Sequence, residues 1–139
     1  MTLAEALAAF RSANSLPRGE EQCDFWTCRV GPLTLRLPNF SWRRRALLAH
    51  DLHHVLTDTP CTMFGECRMA AWEIGAGPMP HWGAALMCTP LALVGLILIP
   101  RQTAAAFRAG RRSRSLHGVP VPDHVLMLPV EQARRALRR

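Results

Sequence analysis

Residues 50–66 read HDLHHVLTDTPCTMFGE and hold four side chains that can bind a metal ion. His50 and His54 are one helical turn apart, and Asp51 precedes His54 by three residues, so the three side chains lie within roughly 100° of one another on a helix. Glu66 follows after a turn, and a second helix would bring it to the same face. Imidazole nitrogens and carboxylate oxygens are ligands that zinc, iron and manganese accept. The stretch therefore predicts two neighbouring helices that carry a metal site of His50, Asp51, His54 and Glu66.

Two cysteines close by offer another metal site. Cys61 and Cys67, with His50 and His54, would make a structural Cys₂His₂ zinc site, although the gap between the cysteines is wider than usual. Short His/Asp patterns also arise by chance. The alternative interpretation is therefore a protein without a metal, in which one histidine is buried and the other is exposed. The five cysteines are an odd number with no recognisable secretory signal, so we expect reduced thiols.

The helices around this stretch can be placed from their caps and periodicity. Ser41 is the expected N-cap of a helix over residues 42–56, and a second helix is predicted over residues 63–74. Glu73 is seven residues after Glu66 and shares its face. Glu73 is therefore a candidate acceptor that orients a ligand histidine, or a catalytic base, with an ordinary exposed carboxylate as the alternative.

The spacing His-Asp-x-x-His, eleven residues and then Glu resembles the signature of the Coq-four proteins of ubiquinone (coenzyme Q) biosynthesis. Residues 106–119 and 128–137 are similar to the family's C-terminal pattern. The chain departs from the pattern at His53, where an aromatic or other bulky residue is expected. The resemblance covers residues 41–139 and implies a divalent metal on the same four ligands, zinc first and iron, manganese or cobalt as alternatives.

What the resemblance implies is ubiquinone biosynthesis on a polyprenylated hydroxybenzoate, with loss of the C1 carboxylate and hydroxylation of the same carbon. The metal would act as a Lewis acid on the carboxylate or phenol of the substrate. Two other function classes stay open. One is a non-catalytic scaffold that gathers quinone-pathway enzymes at a membrane, a role also attributed to the family. The other is an HD-type metal phosphohydrolase, which needs a further upstream histidine, and no histidine precedes His50.

Residues 74–100 contain no formally charged side chain. Within it, residues 82–99 are long enough to raise the question of a membrane span. Thr89 and Pro90 favour two short helices instead, each about half the length that crossing a bilayer needs. Small residues such as Ala85 and Gly95 predict the wall of a pocket for a prenyl tail. Buried core and a hairpin that dips into one leaflet are the alternatives.

The basic residues are all arginines, 17 in number, and the formal net charge is +7. Eight arginines balance eight acids in residues 1–100, so the whole excess lies in residues 101–139. Arg111, Arg112 and Arg114 are expected to contact lipid headgroups or partner proteins, with a solvated basic face as the alternative. No aromatic platform accompanies them, so nucleic acid is not an expected partner. We expect a peripheral protein on the cytoplasmic face of a membrane, with homo-oligomers open.

These patterns predict a mainly α-helical single domain, a helical bundle over residues 1–139. With 49% hydrophobic residues, the chain can bury most of a core. The expected order begins with residues 1–40, an N-terminal helix opened by a capping box of Thr2 and Glu5 and then an extended or hairpin segment. The metal-motif helices (41–77) and the apolar segment (78–100) follow. Residues 101–139 are expected to form basic helices, one over 103–115 and one after Pro129.

Overall fold

The computed structural model describes residues 1–16, 23–30 and 33–138. The chain is mainly α-helical with a short antiparallel hairpin near the N-terminus, which confirms the predicted fold class. The helices are α1 (Leu3–Ala13), α2 (Ser41–Thr57), α3 (Met63–Ala76), α4 (Trp82–Leu98), α5 (Pro100–Arg111), α6 (Asp123–Leu126) and α7 (Val130–Leu137). Strand β1 (Phe25–Val30) pairs with β2 (Leu33–Pro38), with Phe25 opposite Pro38.

Helix α1 begins at the predicted capping box and packs against α2. The Thr2 N–H donates to the Glu5 carboxylate at 2.8 Å, and the Thr2 hydroxyl accepts from the Glu5 N–H at 3.3 Å. The apolar side chains buried between α1, α2 and α7 are Leu3, Leu7, Leu52, Leu56 and Ala133. Because this core holds the inner face of α2, the helix that carries the metal motif has a fixed orientation.

Helix α3 packs against α4 and α5. Two glycines let α3 and α5 approach closely: a Cβ on Gly75 would meet the backbone of Phe107, and a Cβ on Gly110 would meet the backbone of Trp72. The α3 residues Met69, Ala70 and Ala71 are buried in this layer. Helix α3 is therefore held from two sides while its first turn faces α2.

Helix α4 runs through Pro90 without a break, so the predicted pair of short helices is wrong. Proline removes one backbone donor, and the Thr89 hydroxyl donates to the Ala85 carbonyl at 2.7 Å inside the helix instead of capping a new one. Ser41 is likewise the first residue of α2 rather than its cap. Among the helices in the described ranges, none has both the length and the hydropathy that crossing a membrane requires.

Candidate metal centre

Two histidines on α2 and a glutamate on α3 bring their ligand atoms together. His50 Nε2 lies 3.1 Å from Glu66 Oε2, and His54 Nε2 lies 3.2 Å from Glu66 Oε1. The two Nε2 atoms are 3.1 Å apart. Ligand atoms about 2.1 Å from a shared ion lie roughly 3.0–3.4 Å from one another in octahedral or tetrahedral geometry. His50, His54 and Glu66, which we call the metal group, therefore have the dimensions of a metal site.

The turn between α2 and α3 positions two of these ligands. Asp58 ends α2 with a φ of 55°, a left-handed conformation that aspartate tolerates better than most residues. The chain then turns so that the Thr59 carbonyl lies 2.8 Å from His54 Nδ1. The Thr62 hydroxyl caps α3 and places Glu66 in its first turn. Both helix ends are therefore built to bring His54 and Glu66 together.

In both His50 and His54, a hydrogen bond at Nδ1 leaves the Nε2 atom free to bind an ion. A carbonyl oxygen only accepts, so neutral His54 carries its proton on Nδ1, facing Thr59. His50 Nδ1 lies 3.1 Å from Glu73 Oε1, a carboxylate oxygen that also accepts. Histidine ligands usually donate their second nitrogen in this way, which fixes the tautomer and the ring orientation. Glu73 is thus placed to orient His50, one of the two roles considered for it from the sequence.

The ligand atoms of the metal group are hydrogen-bond acceptors that face one another, so a positively charged species must lie between them. In the metal-free protein this is a proton: burial opposes the charge, but Glu73 and Glu66 outweigh it and raise the pKa of His50 to about 10. Burial would raise the pKa of Glu66, but hydrogen bonds from His50 and His54 bring it well below its ordinary value. A divalent cation replaces such a proton, which is why metal binding releases protons at sites of this kind.

Asp51, the fourth ligand expected from the sequence, does not join the metal group. Its Oδ2 lies 2.8 Å from Arg11 Nε, and both side chains are buried, so the pair ties α2 to α1. Burial raises the pKa of Asp51, and the charge of Arg11 opposes that shift. A buried carboxylate needs a partner of opposite charge, and α1 supplies one. The structure therefore brings together three of the four predicted ligand side chains.

The cysteines belong to neither group of potential metal ligands among the described residues. Cys67 is buried on α3 and faces α4, where a Cβ on Gly95 would be 2.9 Å from Cys67 Cβ. Cys61 is half-buried, and its pKa is raised to about 11, first by burial and then by Glu66. The structure therefore does not assemble the alternative Cys₂His₂ zinc site.

Glu73 is completely buried and collects donors that sequence reasoning missed. His53 Nδ1 lies 2.7 Å from Glu73 Oε1, and the Cys88 thiol donates to Oε2 at 3.3 Å. His117 Nε2 is 3.0 Å from Oε1, but its direction does not give a hydrogen bond. Burial would raise the pKa of Glu73, but His50, His117 and His53 hold it well below its ordinary range. The carboxylate therefore stays ionised inside the protein.

His53, Glu73 and His117 form a second group with the dimensions of a metal site. The Leu116 backbone N–H donates to His53 Nε2 at 2.9 Å and so uses the lone pair of that nitrogen. Neutral His53 then carries its proton on Nδ1, the atom that faces Glu73. A metal ion at Nδ1 would have to displace this proton, which cannot move to Nε2 because the Leu116 N–H already occupies that lone pair. We therefore interpret these three residues, called the support group below, as a shell around Glu73.

An apolar pocket of about 150 Å³ opens beside the metal group. His50, Glu66, Glu73 and His117 contribute to its wall. The other lining residues are Trp42, Arg43, Ala46, Leu47, Ala70, Ala84, Met87, Cys88 and Leu91. Neither a protein-family model, nor a curated protein, nor a solved structure matches the chain. An apolar wall with a few polar groups at one end is the usual form of a small-molecule pocket.

Ala85 and Gly95, the residues expected to wall a prenyl pocket, are not among those that line this pocket. Gly95 lies where α4 meets α3 and α5, and a Cβ on it would be 2.7 Å from Thr103 Oγ1, so no chain fits there. Ala85 is half-buried beside Ala84, which does line the pocket. Helix α4 thus forms part of the pocket wall through residues other than those two.

Proposed function

We propose that this protein is a metal-dependent decarboxylase of ubiquinone biosynthesis. The observation that carries the proposal is that the metal group opens into an apolar pocket. This arrangement suits a molecule with an apolar body and an anionic or phenolic end. The motif resemblance supplies the substrate class, a polyprenylated hydroxybenzoate that loses its C1 carboxylate.

The residues of the site fit a divalent metal. His50, His54 and Glu66 would hold it, and two imidazoles with one carboxylate leave coordination positions for substrate oxygens. Zinc is the first choice, and iron, manganese and cobalt accept the same donors. When bound, the ion supplies Lewis acidity for the carboxylate or phenol of the substrate. Glu73 keeps His50 in the tautomer that binding needs, and the apolar wall shields the ring from water.

In the proposed reaction, the bond between C1 and the carboxylate carbon breaks and carbon dioxide leaves. The electron pair of that bond stays on the ring carbon. A proton from water takes the vacated position in a simple decarboxylation. In the oxidative form that the resemblance implies, C1 takes one oxygen atom of dioxygen as a hydroxyl group, and the other oxygen atom leaves as water with two electrons and two protons from an added two-electron reductant. Both forms require the carboxylate to reach the wall of the pocket at His50 and Glu66.

The test is release of carbon dioxide from a prenylated 4-hydroxybenzoate by purified protein loaded with zinc, iron, manganese or cobalt in turn. Glu66→Gln should abolish release, because it removes the anionic ligand of the metal group. His124→Asn changes an exposed histidine of α6 outside the pocket and should not alter release. Release that persists in Glu66→Gln would contradict the proposal, and a parent inactive with every metal would favour the scaffold function.

The scaffold function is our second candidate, and the surface of α4 and α5 favours it. Between Glu73 and Asp123 the sequence contains five arginines and no acid. Large apolar side chains of α4 are exposed along one face, namely Trp82 (73%), Leu86 (63%), Leu93 (55%) and Ile97 (78%). An apolar face on a stretch of chain whose formally charged residues are all arginines suits an anionic membrane surface.

We infer that this face docks peripherally on anionic lipid at the cytoplasmic side of a membrane, where other ubiquinone-biosynthesis proteins or a second copy of the chain would gather. The exposed residues Arg111, Arg112 and Arg114 would contact headgroups, each contributing about 1 kcal/mol near the surface. Vesicles containing phosphatidylglycerol should bind the protein better than phosphatidylcholine vesicles, and salt should weaken binding. Ile97→Ser should weaken it further, unlike Met63→Ser on α3. Equal binding to both vesicle types would refute this inference.

A further inference from the structure

A second cleft, of about 220 Å³, adjoins the apolar pocket. The two cavities share four lining residues, Trp42, Ala46, Ala84 and His117, so they lie side by side. The remaining lining residues of the second cleft are Arg45, Pro80, His81 and Gly118. We call this cavity the basic cleft. The metal group does not line it.

His81 offers the basic cleft a donor from a fixed ring. The Gly83 N–H donates to His81 Nδ1 at 3.1 Å, so the neutral ring carries its proton on Nε2. Trp42 stacks on the ring, with 4.3 Å between centroids and 2° between planes. His81 is also the N-cap of the 17-residue helix α4, and the N-terminal end of a helix favours negative charge. The ring and the helix end thus both suit an anion.

Arg45 is the one formally charged side chain among the described residues that line the basic cleft. Arg45 is exposed, and its side chain makes no hydrogen bond or ion pair with the residues that the structure describes. His117, nine-tenths buried, places Nε2 near Glu73 without a hydrogen bond and completes the wall. No acidic side chain is among the described lining residues. The guanidinium of Arg45 is therefore available to a ligand, and no carboxylate of the lining competes with that ligand.

We propose that the basic cleft binds the anionic group of an amphipathic ligand whose apolar chain lies in the adjoining pocket. Arg45 and His81 donate to the anion, and Trp42 forms the wall that the two cavities share. The anion is a carboxylate or a phosphate, which a prenylated acid or a lipid headgroup would supply. This orientation differs from that of the substrate in the proposed reaction, whose carboxylate would lie at His50 and Glu66, so the proposal concerns binding and not turnover.

Three probes with the same chain and different ends test the proposal: geranyl monophosphate, geranic acid and geraniol. Their dissociation constants are measured by isothermal titration calorimetry on the whole metal-loaded chain. The two anions should bind the parent about tenfold more tightly than geraniol, because a hydrogen bond to a charged group contributes that much. Arg45→Gln should remove this difference and leave geraniol affinity and metal content unchanged.

Matched variants separate a built site from general charge attraction. Arg101→Gln removes an exposed arginine of α5 outside the basic cleft and should change nothing. His81→Asn keeps a side chain that can cap α4 but loses the ring N–H, so it should weaken binding of both anions. Equal affinity for anions and geraniol in the parent, or equal losses in Arg45→Gln and Arg101→Gln, would overturn the proposal.

The two anions also distinguish the sources of the ligand. A larger loss for geranyl monophosphate in Arg45→Gln assigns the cleft to a lipid headgroup, and a larger loss for geranic acid assigns it to a prenylated acid. Either result supports anion binding in the basic cleft. Because affinity is read without turnover, a failure to release carbon dioxide would count against the proposed function and leave this result intact.

Discussion

The metal group and the support group each consist of two histidines and one glutamate, yet their chemistry differs. In the metal group, the Nδ1 atoms donate outward and leave the Nε2 lone pairs facing one another. In the support group, the Leu116 N–H occupies the Nε2 lone pair of His53, so the proton lies on the nitrogen that faces Glu73. Equal spacing therefore does not make two metal sites, because the remaining hydrogen bonds decide which nitrogen is free.

Glu73 links the two groups. Its Oε1 lies near ring nitrogens of His50, His53 and His117, one from the metal group and two from the support group. A buried carboxylate without such donors would lose much of its negative charge through a raised pKa. His50, His117 and His53 together keep Glu73 ionised, and ionised Glu73 keeps the Nδ1 proton of His50 in place. The support group thus helps to orient the metal group through one shared atom, Glu73 Oε1.

The largest difference between the groups should be in metal retention. His54→Ala and Glu66→Ala each remove one of three ligands, so we expect nearly complete loss of bound metal after gel filtration, measured by elemental analysis. His53→Phe in the support group should retain full occupancy. Circular dichroism should show unchanged helical content in all three, because the helices are held by the packing of their apolar faces. Full occupancy in Glu66→Ala would reverse the assignment of the two groups.

Asp51→Asn should leave metal occupancy unchanged and act on stability. Arg11 and Asp51 are both buried, and removing one charge of a buried pair typically costs about 3–5 kcal/mol. Urea denaturation should show a loss of this order. The comparison with Glu66→Gln matters because both changes neutralise a carboxylate of the motif. If Asp51→Asn lost its metal while its helical content stayed native, Asp51 would have to be assigned as a metal ligand.

Glu73→Gln should weaken the metal group without removing any ligand. The amide still fills the site, but it cannot accept from His50 with the strength of a carboxylate, and partners of this kind are worth about 10–100-fold in metal affinity. Competition with a fluorescent chelator measures the change. An affinity equal to that of the parent would show that the hydrogen bond of Glu73 to His50 does not tune the site.

Local patterns predicted the ligand helices well. The spacing of His50 and His54 is set by one turn of α2, and Glu66 lies in the first turn of α3, so helix geometry and a cap were enough to place them. The capping box of Thr2 and Glu5 needed only residues three apart. What succeeds in each case is an interaction within a single helix or across one short turn.

Tertiary contacts account for what the sequence could not place. Asp51 has the spacing of a ligand, but its partner Arg11 lies 40 residues earlier on another helix. Similarly, His53 shares a face with His50 at a spacing of three, a visible signal, whereas Leu116, which fixes its tautomer, is 63 residues away. A helix break was predicted at Pro90 and is absent. The packing of α4 on α3 keeps the helix continuous, and this packing has no local signature in the sequence.

The smallest effect should come from His53→Phe, which keeps a ring of similar size in the fully buried support group. The substitution leaves the Leu116 N–H without its acceptor and removes one donor from Glu73. An unsatisfied buried donor costs about 1–3 kcal/mol, so urea denaturation should show a loss in that range while metal affinity falls less than in Glu73→Gln. His53→Asn, which can still accept and donate, should recover part of the lost stability through hydrogen bonding. A drop in metal affinity as large as that of Glu66→Ala would mean that His53 binds the ion and that the two groups form one site.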